Sequence, residues 1–110
     1  MPFIGKYTCF AFTYASVRQN APGRGGVYAI SNAREWLLVG SADDLQSALH
    51  QHLTEVGTPL KTKAPTGFSF QECEQGARQA FMDSLVKEFR PVCNSQYNRP
   101  RDRAFHLTAR

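Results

Sequence analysis

The hydrophobic positions of this chain fall into blocks whose spacing changes along its length, and each change marks an element. Residues 7–14, YTCFAFTY, set Phe10, Phe12 and Tyr14 on one side of an extended chain and Tyr7, Cys9 and Ala11 on the other. Their aromatic content predicts a strand covered on both faces. Residues 20–26, NAPGRGG, are turn chemistry, with Pro22 fixing φ and glycines permitting positive φ. Residues 26–30 then read as a short strand, 31–34 as a turn, and 35–40, EWLLVG, as a continuous apolar run of the kind found in the middle of a sheet. So short a connection makes the pair an antiparallel hairpin. Trp36, inside that run, is expected in the core rather than stacked on a nucleic-acid base.

Gly40 releases the chain from extended to helical geometry without a Cβ penalty. Ser41-Ala42-Asp43-Asp44 fits the helix start that follows, with the serine hydroxyl as cap and two aspartates against the positive end of the dipole. Leu45, Ala48, Leu49, Leu53 and Val56 recur at helical spacing, with His52 on the same side. His50 falls about 200° round the helix from it, so the two histidines cannot chelate one metal ion. Gly57 ends this helix, and residues 57–67, GTPLKTKAPTG, predict a loop. Residues 67–73, GFSFQEC, alternate as a third strand. Ala77, Phe81, Leu85 and Phe89 then mark a second helix that Pro91 stops.

The expectation is an α/β fold: a small mixed, mainly antiparallel three-stranded sheet, with an extra N-terminal strand, flanked by two main helices in one domain over residues 1–94. Residues 95–110 have little periodicity and read as a basic tail, in which Phe105 and Leu107 could dock as an edge strand. A chain of 110 residues, 42% hydrophobic and 20% charged, supports one core. It holds no apolar run of membrane-spanning length and no basic-then-apolar leader, which makes the cytoplasm the expected compartment. Cys9, Cys73 and Cys93 are odd in number and never at C-x-x-C spacing. That argues against a disulfide framework or a zinc site and leaves small buried thiols.

Charge refines the picture. The net +4 resides wholly from Arg90 onward, where five arginines face one acid, Asp102; residues 1–89 carry eight groups of each sign. Arg99, Arg101 and Arg103 suit an anionic partner such as DNA, and they equally suit a solvated end.

The order strand, strand ending in Gly, helix, strand, helix, Pro-x-x-Asn resembles the GIY-YIG nuclease superfamily over roughly residues 20–94. Gly26-Val27-Tyr28 stands where Gly-Ile-Tyr belongs and Leu38-Val39-Gly40 where Tyr-Ile-Gly belongs. Ser41 to Leu45 looks like the polar turn opening the family's first helix. His52 resembles the His or Tyr near that helix's end, and Pro91-Val92-Cys93-Asn94 the closing Pro-x-x-Asn. The resemblance implies DNA cleavage with Mg²⁺ or another divalent metal ion. It places Tyr28 near the attacking water, His52 as a proton-transfer or orienting group, Ser41 at the cleft, and Gly40 and Asn94 as structural or cleft residues. The same family uses a second tyrosine, an arginine in the first helix and a metal-binding glutamate in the second, and here those positions fall on Leu38, Ala48 and Met82. None of the three can donate to a phosphate or bind a hard cation. Losing one such donor already costs about a hundredfold in other hydrolases. Asp83 is the neighbouring carboxylate that would substitute as metal ligand, and Arg78 the substitute guanidinium.

The functional expectation is therefore a domain that acts on or binds DNA, its metal-dependent hydrolysis weakened or lost. The alternative is a non-catalytic scaffold that binds a protein through the former cleft or a sheet edge, which the balanced charge of residues 1–89 favours.

Overall fold

The computed structural model describes residues 8–94. In chain order its elements are β1 (Phe10–Ala11), α1 (Tyr14–Asn20), β2 (Gly26–Ser31), β3 (Trp36–Ala42), α2 (Leu45–Thr54), α3 (Pro59–Thr62), β4 (Gly67–Glu72) and α4 (Gln75–Phe89). The strands form one sheet in the order β1-β4-β2-β3, and every pairing is antiparallel rather than mixed.

β2 runs through the middle, buried at all six positions, and its alternation divides the core in two. Tyr28 and Ile30 face α1, α2 and α3, packing with Leu38, Leu45, Leu49, Leu60 and Phe68. Val27 and Ala29 face the other way, toward Val39, Trp36, Leu85 and Phe89, so α4 covers that side. Burying a side chain such as Phe68, Leu49 or Leu60, all at zero exposure, stabilises the fold by about 1.5–3 kcal/mol each.

Three expectations are corrected. Among the described residues of the N-terminal block, only Phe10 and Ala11 pair as a strand, with Phe68 and Gly67. Thr13 instead caps a helix, its side chain accepting from the Ser16 N–H at 3.2 Å, and Val17 and Ala21 point into the core at helical spacing. β3 is not central but lies at the sheet's edge. Its apolar run reflects burial on both faces, under α2 and α4, which a sequence pattern cannot tell from a central position. The first main helix also starts later than expected. Ser41 and Ala42 remain in β3, and the cap is Asp44, which accepts from the Ser47 N–H at 3.0 Å.

The far end of that helix differs as well. It closes at Thr54, so Val56 is 87% exposed rather than on the apolar stripe, and Gly57, at φ 71°, belongs to the following loop. That loop holds the short α3, capped by Thr58 and anchored by the fully buried Leu60. α4 ends at Phe89, where Arg90 takes the left-handed position usually filled by glycine, with φ 51°. The chain then runs back along the open edge of β3. The Val92 and Cys93 N–H groups donate to the carbonyls of Trp36 and Leu37 at 3.2 and 2.8 Å. The start of the β3 edge, at Trp36 and Leu37, is thus covered by the chain's own backbone.

None of the three cysteines forms a disulfide, and only Cys93 is fully buried. Burial pushes the Cys93 thiol above its usual pKa. Among the described residues no helix is long and apolar enough to cross a membrane. Arg99, Arg101, Arg103, Phe105 and Leu107 lie outside the described residues.

Candidate functional site

The Tyr28 side chain leaves β2 on the α2 side, directly opposite Gly40 of β3 in the pairing register. A Cβ at Gly40 would lie 2.6 Å from the Tyr28 hydroxyl and 2.7 Å from the ring carbon that carries it. Gly40 is therefore needed not to turn the chain into a helix but to let the phenol ring pass. The ring ends at His52, in the last turn of α2, with Tyr28 Oη and His52 Nε2 2.8 Å apart. On the other side of the imidazole, Nδ1 lies 3.2 Å from Glu55 Oε1. With the Glu55 carboxylate ionised, the Nδ1–H donates to it and Nε2 accepts from the phenol. A hydrogen-bonded chain thus runs from a phenol only 7% exposed, through an imidazole 9% exposed, to a carboxylate near the surface. Tyr28 and His52, singled out separately in the sequence, are one unit. Glu55 was missed, although its i,i+3 spacing from His52 was the available signal.

His50 diverges from His52 as its spacing requires, and its ring stacks on Tyr14 with centroids 4.4 Å apart. Asn94 ties the chain after α4 to the sheet. Its Oδ1 accepts from the Val39 N–H at 2.6 Å and its Nδ2 donates to the Val39 carbonyl at 2.9 Å.

Ser41 stands elsewhere. It pairs with Val27 and alternates with Gly40, which puts it on the α4 side of the sheet. There it lines a cleft of about 280 Å³ with Ala42, Asp43, Gln75, Arg78 and Gln79. Arg78 is anchored in this cleft, Nη1 2.5 Å from Asp43 Oδ1 and Nε donating to the Cys73 carbonyl at 3.1 Å. Its guanidinium lies so close over Gly25 that a Cβ there would come within 1.8 Å of Nη2. Asp83 is exposed, and its carboxylate accepts from the Gln79 amide one turn earlier, at 2.9 Å. The residues proposed from sequence are thus divided by the sheet, with Tyr28 and His52 on one face and Ser41, Arg78 and Asp83 on the other.

The three substituted positions are filled by hydrocarbon that packs. Leu38 is 2% exposed beside Tyr28, Ala48 lies against the same cluster, and Met82 packs across the sheet against the Val27–Trp36 cluster. Among the described residues no three His, Cys, Asp or Glu side chains come together to hold a metal ion. Mg²⁺ is usually held by one or two protein carboxylates, with water completing its shell. At the family's metal position Met82 offers only a half-buried thioether, and Asp83 faces solvent, held by Gln79, across the sheet from Tyr28 and His52, so the residues present there do not fit a divalent cation.

Among solved structures, the chain is similar to one protein domain in several forms. One is the GIY-YIG N-terminal endonuclease domain of UvrC from Thermotoga maritima bound to its catalytic divalent cation, magnesium. It is 20% identical, with a TM-score of 0.59, over 69% of this chain and 92% of that one. A tyrosine-to-phenylalanine point mutant bound to its catalytic divalent cation matches at 20% identity and a TM-score of 0.58, over 69% of this chain and 91% of that one. An asparagine-to-alanine point mutant matches at 20% and 0.59, over the same shares. No family model and no curated protein matches. The chain has the fold of the GIY-YIG endonuclease domain.

Proposed function

We propose that this chain is a cytoplasmic GIY-YIG-fold domain, residues 1–94 with a basic tail at 95–110, that works on DNA with its metal-dependent phosphodiester hydrolysis weakened or lost. One observation carries the reading. The Tyr28–His52 pair is intact at 2.8 Å, while Leu38 is buried in the core and Ala48 and Met82, half-buried, pack against the two clusters, so none of the three offers a polar group to a phosphate or a cation. A hydrogen-bonded phenol and imidazole can orient a water or a phosphate oxygen. With no guanidinium paired to them and no cluster of metal-ligating side chains among the described residues, the negative charge that develops on a phosphate under attack lacks its main stabilisers. Binding then rests on contacts to the DNA backbone, which carry little sequence preference. The tail arginines Arg99, Arg101 and Arg103 add charge of the right sign.

The test is a supercoiled-plasmid nicking assay with Mg²⁺ or Mn²⁺, run beside binding to a labelled duplex at rising salt. The expected result is salt-sensitive binding, with nicking no greater than in a chelator control. Metal-dependent nicking abolished by Tyr28→Phe would overturn the loss of catalysis, and no binding at low salt would overturn the DNA reading.

A further inference from the structure

The folded residues carry balanced charge, but the fold does not spread it evenly. β2 and β3 meet at a turn over residues 32–35, and three other segments close on that turn. The Asn32 amide donates to the Lys63 carbonyl at 2.9 Å, and the Lys63 ammonium lies 3.8 Å from Glu35. Trp36, next in the chain, stacks on Phe89 at the end of α4, with centroids 4.3 Å apart, and receives the Val92 N–H. This end of the molecule therefore gathers Arg34 from the turn, Lys63 from the loop after α3, and Lys87 and Arg90 from the close of α4. All four are exposed. Their carboxylate company is Glu35, already paired with Lys63, and Glu88. Among the described residues Arg34, Lys87 and Arg90 have no ion-pair partner.

The opposite end is the reverse. Asp43, Asp44, Glu72 and Glu74 cluster where β3 and β4 give way to α2 and α4. Arg24 and Arg78 there are spent on Glu72 at 3.9 Å and Asp43 at 2.5 Å. Arg18 is the one other unpaired arginine among the described residues, on α1, whose end is tied to Gln46 of α2 near this acidic end.

Cations at helix C-termini complement the macrodipole, and that alone explains one such residue per helix. It does not explain Arg34 in a β-turn or Lys63 in a loop. We infer that the hairpin-turn end, presenting Arg34, Lys63, Lys87 and Arg90, is the surface that docks on the phosphate backbone of duplex DNA. The inference rests on the DNA reading above and names the surface for it. Phosphate oxygens are the complementary group; Arg34, Lys87 and Arg90, unpaired among the described residues, give up no intramolecular ion pair on binding, and Lys63 gives up only its 3.8 Å pair with Glu35. The balanced total charge that seemed to favour a protein scaffold is then the sum of two unlike ends, and Arg90 belongs to the folded basic end rather than to the tail.

The test uses the full chain and a labelled duplex, with log Kobs followed between about 50 and 200 mM salt. Three variants are compared with the wild type: Arg34→Gln/Lys87→Gln/Arg90→Gln, Arg99→Gln/Arg101→Gln/Arg103→Gln, and Glu74→Gln as a control at the acidic end. Each is first checked for an unchanged melting profile. At about 0.9 per lost phosphate contact, the first variant should flatten the salt slope by about 2–3 and weaken low-salt binding by about tenfold or more. Glu74→Gln should leave both unchanged. Wild-type binding with the slope kept in the first variant and lost in the tail variant overturns this surface and leaves the DNA reading standing. Absence of wild-type binding overturns both.

Discussion

Asn94 offers the sharpest test of how the fold is closed. Its carboxamide takes both backbone groups that Val39 turns away from β2, the N–H at 2.6 Å and the carbonyl at 2.9 Å, and the residue is only 5% exposed. Asn94→Ala removes both partners at once and leaves a buried donor and a buried acceptor unpaired. Each costs about 1–3 kcal/mol, so the sum is about 2–6 kcal/mol. In a domain of this size that lowers Tm by about 10 °C or more. Asn94→Asp keeps the shape and the acceptor for the Val39 N–H but sets a second oxygen against the Val39 carbonyl, and it should lose a comparable amount. Urea unfolding gives the energies, and amide hydrogen exchange localises them. The Val39 N–H should lose its protection in the Ala variant, while those of β2 fall only with global stability. If Asn94→Ala costs less than about 1 kcal/mol with Val39 still protected, the backbone bonds from Val92 and Cys93 seal the edge unaided and the reasoning fails.

Three further outcomes follow from close contacts and burial. Gly40→Ala places a Cβ against the Tyr28 ring and should cost about 1–3 kcal/mol by overpacking, with a shift of the His52 ring resonances in NMR spectra as the phenol moves. Gly25→Ala should drive the Arg78 guanidinium off its seat and break the Asp43 pair, and the same change should be well tolerated in an Arg78→Ala background, which a double-mutant cycle on Tm would show. Burial raises the Cys93 thiol pKa above its unfolded value, so its stabilising contribution is complete below about pH 8.5 and is lost as pH rises through the folded pKa. Urea midpoints should therefore decline on the alkaline side, and decline less steeply in Cys93→Ala.

What was legible in the sequence follows from what a linear pattern encodes. The β2–β3 hairpin, β4 and both long helices could be read because alternation and helical spacing report which side of an element is buried. α1 was lost because Tyr14, at its first position, also continues the alternation of Phe10 and Phe12. The Thr13 cap that breaks the strand shows itself only through a bond to the Ser16 amide. The place of β3 in the sheet was unreadable, since burial by helices on two faces looks like burial between strands. The candidate site was legible as residue types and not as an arrangement. Tyr28 and His52 meet because β2 and α2 pack on each other. Ser41 is excluded because one step along a strand moves a side chain through the sheet to the other face.

That last point bears on whether the missing metal ligand can be put back. Counting from Asn94 assigns the glutamate position to Met82, yet Met82, half-buried, packs against the cluster that holds Val27, Trp36 and Phe89, across the sheet from Tyr28 and His52. Met82→Glu should therefore bury a carboxylate beside apolar side chains, at a cost of about 1–3 kcal/mol, and create no cation site. The nearby carboxylate, Asp83, faces solvent and is held by Gln79. A ligand that binds only the native state raises stability in proportion to RT ln(1 + [L]/Kd), so melting with and without millimolar Mg²⁺ reads the site without recourse to activity. The expected result is a lowered Tm that Mg²⁺ does not restore. A Mg²⁺-dependent rise in the Met82→Glu variant, absent from wild type and from Met82→Gln, would mean that a carboxylate at this position does reach a second oxygen donor. The division of the site by the sheet would then be wrong.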